Sequence, residues 1–148
     1  MGFKFKPKID LNKLNKELFN TRIYIGYDDS EIHHSGYSAP ELARLLSEGD
    51  GYMIPPRPHL EEGIEAGMAD IKRAIRDYGK SLFGLFPKKD AAQKIANAGR
   101  QAVLDYVQSG ALTPNAAFTI AKKGSDIPLI ETGELLHMLE TKIVKGGL

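Results

Sequence analysis

A chain of 148 residues, 42% hydrophobic and 26% charged, has the balance of one folded domain and can bury roughly two-thirds of the surface its unfolded form exposes. A formal net charge of +1 gives no overall field toward nucleic acid or an anionic membrane, and the lack of cysteine excludes disulfides, thiol catalysis and thiolate metal sites. No stretch reaches the run of about 18 apolar residues that a membrane span requires.

The opening MGFKFKPKID carries charge without an apolar run of signal-peptide length, and Lys6 breaks the myristoylation pattern, so a soluble chain made in the cytoplasm is expected. Residues 1–8 and 146–148 read as arms outside a single domain that spans 1–148. In IDLNKLNKELFN, Ile9, Leu11, Leu14, Leu18 and Phe19 share one face of a short helix that Asp10 can cap. TRIYIGY alternates Ile23 and Ile25 with Arg22, Tyr24 and Gly26, the pattern of a half-buried strand. DDSEIHHSGYS is a polar loop. Ser38 then caps APELARLLSEG, with Pro40 in the first turn, Glu41 three residues after the cap and Gly49 as the stop.

MIPPRPHLEEGIEAGM puts Pro55, Pro56 and Pro58 around Arg57 and leads straight into a helix. Each proline fixes its own φ and pushes the preceding residue into extended geometry, so Ile54 to Arg57 form a stiff strut. Leu60, Ile64, Met68, Ile71, Ile75 and Tyr78 recur at helical spacing and predict one long amphipathic helix. Glu61 and Glu62 near its start and Lys72, Arg73 and Arg76 toward its end suit the helix dipole. Gly63 and Gly67, four apart, offer a place where another backbone packs closely.

GKSLFGLFPKK breaks the pattern and leaves Leu82, Phe83, Leu85 and Phe86 in a glycine-broken turn, to be read either as a plug folded into the core or as an exposed docking patch. A second amphipathic helix follows, using Ala92, Ile95, Gly99, Ala102, Val103, Tyr106 and Val107 and ending at QSGALTP. NAAFTIAKKGS predicts a short helix stopped by Gly124. DIPLIETGELLHMLETKIVKGGL predicts a short helix capped by Thr132, with a partly buried His137, and a last strand over 141–145 that pairs with 22–27. The fold class is α/β of the α+β kind: a small, mainly antiparallel sheet against a long helix and a second amphipathic helix.

The richest cluster of reactive groups is Asp28, Asp29, Glu31, His33 and His34. Adjacent histidines can ligate a metal, yet metal sites need three or four convergent donors, and a solvated polar loop is the plain alternative. A metal-dependent hydrolase built on Asp28, Asp29, His33 and His34 is one functional reading. Lys4, Lys6 and Lys8 can touch phosphate, which gives a second reading as a DNA-binding adaptor, although three spaced lysines also make an ordinary solvated tail. His59 reads as a helix-start residue. No phosphate loop, dinucleotide fingerprint or serine elbow is present.

RIYIGYDDSEIHHSGYSAPELARLLSEGDGYMIPPRPHLEEGI resembles the opening of the tail-completion or neck proteins of long-tailed bacteriophages, a group that includes the lambda minor tail protein Z and Mu virion-morphogenesis types. Members run from a strand ending in glycine through a variable loop and an aelA…hEfG helix to iPaRPFlr and a long helix. Here Gly26, PELARLLSEG and IPPRPHL stand in that order. AGRQAVLDYVQSGALTPNAAFTIAKKGSDIPLIETGELLHMLETKIVK resembles the second half, with its PLidTGqL motif and terminal strand, so the likeness covers about residues 21 to 145. His59 replaces the aromatic residue after RP, the phenylalanine before the glycine of the first helix is missing, and no serine follows GELL.

The resemblance implies a non-enzymatic virion structural protein without cofactor or metal. It implies a homo-oligomeric ring, expected to be a hexamer, assembled in the infected bacterium's cytoplasm and retained in the virion's neck or tail. Its partners would be copies of itself and neck, tail-tube or head-connector proteins, with nucleic acid only passing through the lumen. Ring interfaces are heterologous, so each subunit presents two different faces. The strut residues Ile54, Pro55, Pro56, Arg57 and Pro58, the loop residues Asp28, Asp29, His33 and His34, and Phe83 and Phe86 are the expected interface, with Arg57 as its anchor. A salt bridge from Arg57 to its own helix start or to Glu61 is the alternative.

Overall fold

Alternation of apolar and polar residues in TRIYIGY and in LETKIVK yields two strands, β1 (Thr21–Tyr27) and β2 (Leu139–Lys145), which pair antiparallel. A computed structural model describes residues 12, 16–17, 20–85, 89–116, 120–122 and 133–146. The register sets Ile23 opposite Ile143, Ile25 opposite Thr141 and Tyr27 opposite Leu139 on the inner face, and Tyr24 opposite Lys142 on the outer one. Between the strands come α1 (Ala39–Glu48), α2 (His59–Ala66), α3 (Met68–Leu82), α4 (Ala91–Gln108) and the single turn α5 (Glu134–His137). This is an α+β fold with a two-stranded sheet.

The most buried helix, α4, organises the rest. Ala91, Ala92, Ile95, Ala96, Gly99, Ala102, Val103 and Val107 are all buried, and the helix touches both strands as well as α2 and α3. Ile71, Ile95 and Ala102 form one core cluster, joined by Ile23, Ile64, Ala74 and Tyr78. Val107, Leu112 and Leu136 form a second beneath Leu104 and Tyr106. Small residues let the helices close up. A methyl group at Gly63 would lie 2.8 Å from the Val103 Cα, and one at Gly67 would overlap the Ala102 methyl. Arg100 fastens α4 to the sheet, its Nε donating to the Leu139 carbonyl at 2.9 Å.

Three sequence expectations are corrected by this packing. The single long helix after the prolines is broken: Gly67, at φ −89° and ψ 9°, receives the N–H groups of both Asp70 and Ile71 on its carbonyl and restarts the chain as α3. Ile75 then falls on the flank of α3 and is 49% exposed, while Ile71, Ala74 and Tyr78 face α4. His137, expected to be partly buried, is exposed because α5 turns only Leu135 and Leu136 inward.

The strand pairing, the capped helix α1 and the second amphipathic helix stand as expected. Glu41 bonds back to Ser38, accepting its backbone N–H at 3.1 Å and its hydroxyl at 2.8 Å. Gly146 is no free arm, since its N–H reaches the Asn20 carbonyl at 3.1 Å. Of the short helix expected over 115–124, residues 120–122 are helical. The helix face of Ile9, Leu11, Leu14, Leu18 and Phe19, the lysines at 4, 6 and 8, Phe86, Gly124, Thr132 and residues 147–148 lie outside the described residues.

Candidate functional site

Backbone hydrogen bonds hold the segment from Gly49 to His59 at both ends and at its tip. Gly49 ends α1 at φ 73°, a left-handed position, and its Cα faces the Ile54 carbonyl so closely that a Cβ would overlap it. Asp50 then folds the chain over its own carboxylate: Oδ1 accepts the backbone N–H groups of Tyr52 at 2.8 Å, Met53 at 2.7 Å and Ile54 at 2.8 Å. Those three bonds hold the Asp50 carboxyl below its ordinary range. The backbone N–H of Arg57 closes the loop onto the Leu46 carbonyl at 2.9 Å. Two side chains are left out of this network. Tyr52 is 97% and Met53 is 88% exposed, on a backbone that is already ordered.

Arg57 points the other way. It is 7% exposed; its Nε donates to the Thr113 carbonyl at 2.8 Å and its Nη2 to the Pro114 carbonyl at 3.1 Å and the Asn115 Oδ1 at 3.3 Å. The proline strut therefore aims the guanidinium into the loop after α4, where it neither projects from the surface nor pairs with Glu61. Ile54, Pro55 and Pro58 are half-buried and Pro56 is exposed.

His59 is fully buried at the start of α2. Its Nδ1 lies 3.1 Å from the Arg57 carbonyl and its Nε2 lies 2.9 Å from the Tyr27 hydroxyl. A carbonyl can only accept, so Nδ1 carries the proton and Nε2 accepts from Tyr27. Burial pushes the His59 pKa below 6.5 and pushes the Tyr27 phenol up, so both stay neutral. His59 is a neutral core link between α2 and β1.

The histidine loop is more ordered than a polar loop need be. Ile32 and Ser38 form a β-bridge, the His33 N–H reaches the Tyr37 carbonyl at 2.9 Å, and Gly36 turns the tip at φ 88°. His33 and His34 stack with ring centroids 4.0 Å apart. Both meet Glu134 from α5, a hundred residues along the chain: His33 Nε2 lies 3.4 Å from Glu134 Oε2, His34 Nδ1 is hydrogen-bonded to that same oxygen, and the His34 backbone N–H donates to Oε1 at 3.2 Å. The His34 contact is the main cause holding the Glu134 carboxyl below its ordinary range. Among the described residues, the three side chains His33, His34 and Glu134 converge as donors, without Asp28 or Asp29. Asp28 instead accepts the Ser30 N–H at 2.8 Å in a local turn.

Comparison with protein-family models, with curated proteins and with solved structures finds no match. The site is therefore read from its own geometry. In the turn after α3, Phe83 is 44% and Leu85 is 72% exposed, so these two side chains do not plug the core. The sequence reading passed over three residues: Tyr52, Met53 and Glu134. The first two had a local signal, since Asp50 followed by glycine is a chain reversal and the prolines just after it leave two large apolar side chains without a helix or strand to bury them. Glu134 had none, because its partners are remote in sequence.

Proposed function

We propose that the chain is a virion structural protein of a tailed bacteriophage and builds a homo-oligomeric ring at the head–tail junction. The observation that carries this reading is the Asp50–Ile54 tip, which displays Tyr52 and Met53 almost wholly to solvent on a backbone fixed by three bonds to Asp50. Burying each such side chain is worth about 1.5–3 kcal/mol, and a pre-ordered backbone loses little further entropy when it docks. The order of motifs from Gly26 to the terminal strand supports the phage assignment.

A ring contact joins two unlike surfaces. The tip is one. The other is the outer face of the sheet, where Gly26 leaves a shallow groove bordered by Tyr24, Lys142 and Val144. In this reading the tip of one copy seats against that face of the next, and Arg57 serves by bracing the tip from behind.

Native mass spectrometry with negative-stain imaging tests the proposal. The wild-type chain is expected to form closed rings, and the double variant Tyr52→Ser/Met53→Ser to be monomeric with unchanged circular dichroism and melting. A wild-type chain that stays monomeric at all concentrations and never co-purifies with virions overturns it.

A further inference from the structure

We propose that His33, His34 and Glu134 form a binding site for a divalent transition-metal ion of the zinc class, which staples the loop between β1 and α1 to α5. Each of the three offers one donor atom within 4.8 Å of the others. The donors are two imidazole nitrogens and one carboxylate oxygen, a set that suits zinc, nickel or cobalt and not calcium or magnesium, which take oxygen ligands.

The spacing fits as well. Ligands about 2.0–2.1 Å from a tetrahedral ion stand roughly 3.3 Å from each other. His33 Nε2 and Glu134 Oε2 are 3.4 Å apart already. The His34 Nδ1 and Glu134 Oε2 pair is closer than this, and the exposed His34 ring must move outward to admit an ion. His33 is a rigid ligand, with its side chain 12% exposed and its Nδ1 2.8 Å from the Ser35 hydroxyl. The Ser35 backbone N–H also donates to Nδ1 at 3.2 Å, which fixes the ring with its Nε2 proton toward Glu134, and an ion at Nε2 would take the place of that proton. His34 is anchored through its own backbone N–H on Glu134. Its ring is 61% exposed, which leaves the fourth position open to water.

Such a site spans a hundred residues of chain. It ties the tip of the histidine loop to the turn that leads into β2. An ion there would favour one arrangement of the loop over its alternatives, and its gain in stability would follow the free metal concentration.

The test is zinc titration of the full, untagged chain, read by calorimetry and by thermal melting. One equivalent of zinc is expected to bind with micromolar or tighter Kd and to raise the melting temperature, with chelator reversing both. His34→Ala and Glu134→Gln, at accessible positions, should keep the far-UV spectrum, weaken binding at least about tenfold and abolish the thermal shift. Asp28→Asn/Asp29→Asn should bind zinc like the wild type. No saturable binding at about 100 μM zinc, binding unchanged in the Glu134 variant, or binding lost with Asp28 and Asp29 would each overturn the assignment.

Discussion

Arg57 shows how one side chain can read as a surface anchor in sequence and be structural in the fold. Its guanidinium sits among three oxygens of the loop 113–115, so removing it takes away a planar fork of donors that ties this loop to the strut. Arg57→Lys is expected to destabilise the protein by about 1.5–3 kcal/mol in urea titration, because an ammonium cannot reach the Thr113 and Pro114 carbonyls in the same geometry. A loss under about 0.5 kcal/mol would mean the fork contributes nothing beyond a surface charge. His59 makes a prediction about pH. Its folded pKa is depressed below 6.5 by burial, so the unfolded chain binds the extra proton first as pH falls. The stability it contributes is full above about pH 6.5 and is lost as pH falls toward the folded value, with a slope of at most about 1.4 kcal/mol per unit. His59→Gln removes the titration, so its urea midpoint should fall less than the wild type's between neutral pH and about pH 5. Parallel pH profiles for the two proteins would show that His59 is not the group responsible.

At the scale of elements, the glycines of α2 and α3 separate two effects that sequence alone merges. Gly63 presses against the Val103 backbone, whereas Gly79, inside α3, has open space where a Cβ would go. Alanine gains about 1 kcal/mol of helix propensity at either place. Gly79→Ala should therefore stabilise by about 0.5–1 kcal/mol, while Gly63→Ala should destabilise by about 1–3 kcal/mol through overpacking. Chemical denaturation of the two variants checks the opposite signs, and a stabilising Gly63→Ala would refute the close approach of α2 to α4. This contrast also marks what was legible beforehand. β1, α1 and α4 could be read because alternation, a Ser38–Glu41 cap and a helical stripe are local patterns. The break at Gly67 could not, since its stripe continues in phase and only the nearness of Ala102 makes a glycine necessary there. For the same reason the strut was legible as stiff but its direction was not: where Arg57 points is decided by carbonyls 56 and 57 residues away. His33 and His34 were visible as a pair, and Glu134 completes them only through the tertiary fold.

Over the whole molecule, the sheet joins the early part of the chain to its end. Thr21 pairs with Lys145, so every helix from α1 to α5 lies inside the loop that the two strands close. The closing strand does more than cover an edge. Leu139 is 1% exposed, its carbonyl takes the Arg100 guanidinium, and Ile143 stands opposite Ile23, which packs on the Ile71–Ile95 cluster. Without β2, β1 is a lone strand with no ladder, and Arg100 loses its acceptor in the sheet. A chain truncated after Met138 is therefore expected to lose cooperative unfolding as a whole, not only the C-terminal element. One truncated after Gly146 should unfold like the full chain, because the Asn20 contact and every strand pair are kept. Urea titration followed by circular dichroism distinguishes the two. A sharp transition with an unchanged m-value in the shorter chain would show that α2, α3 and α4 form a self-sufficient core, and that the sheet is an appendage to it.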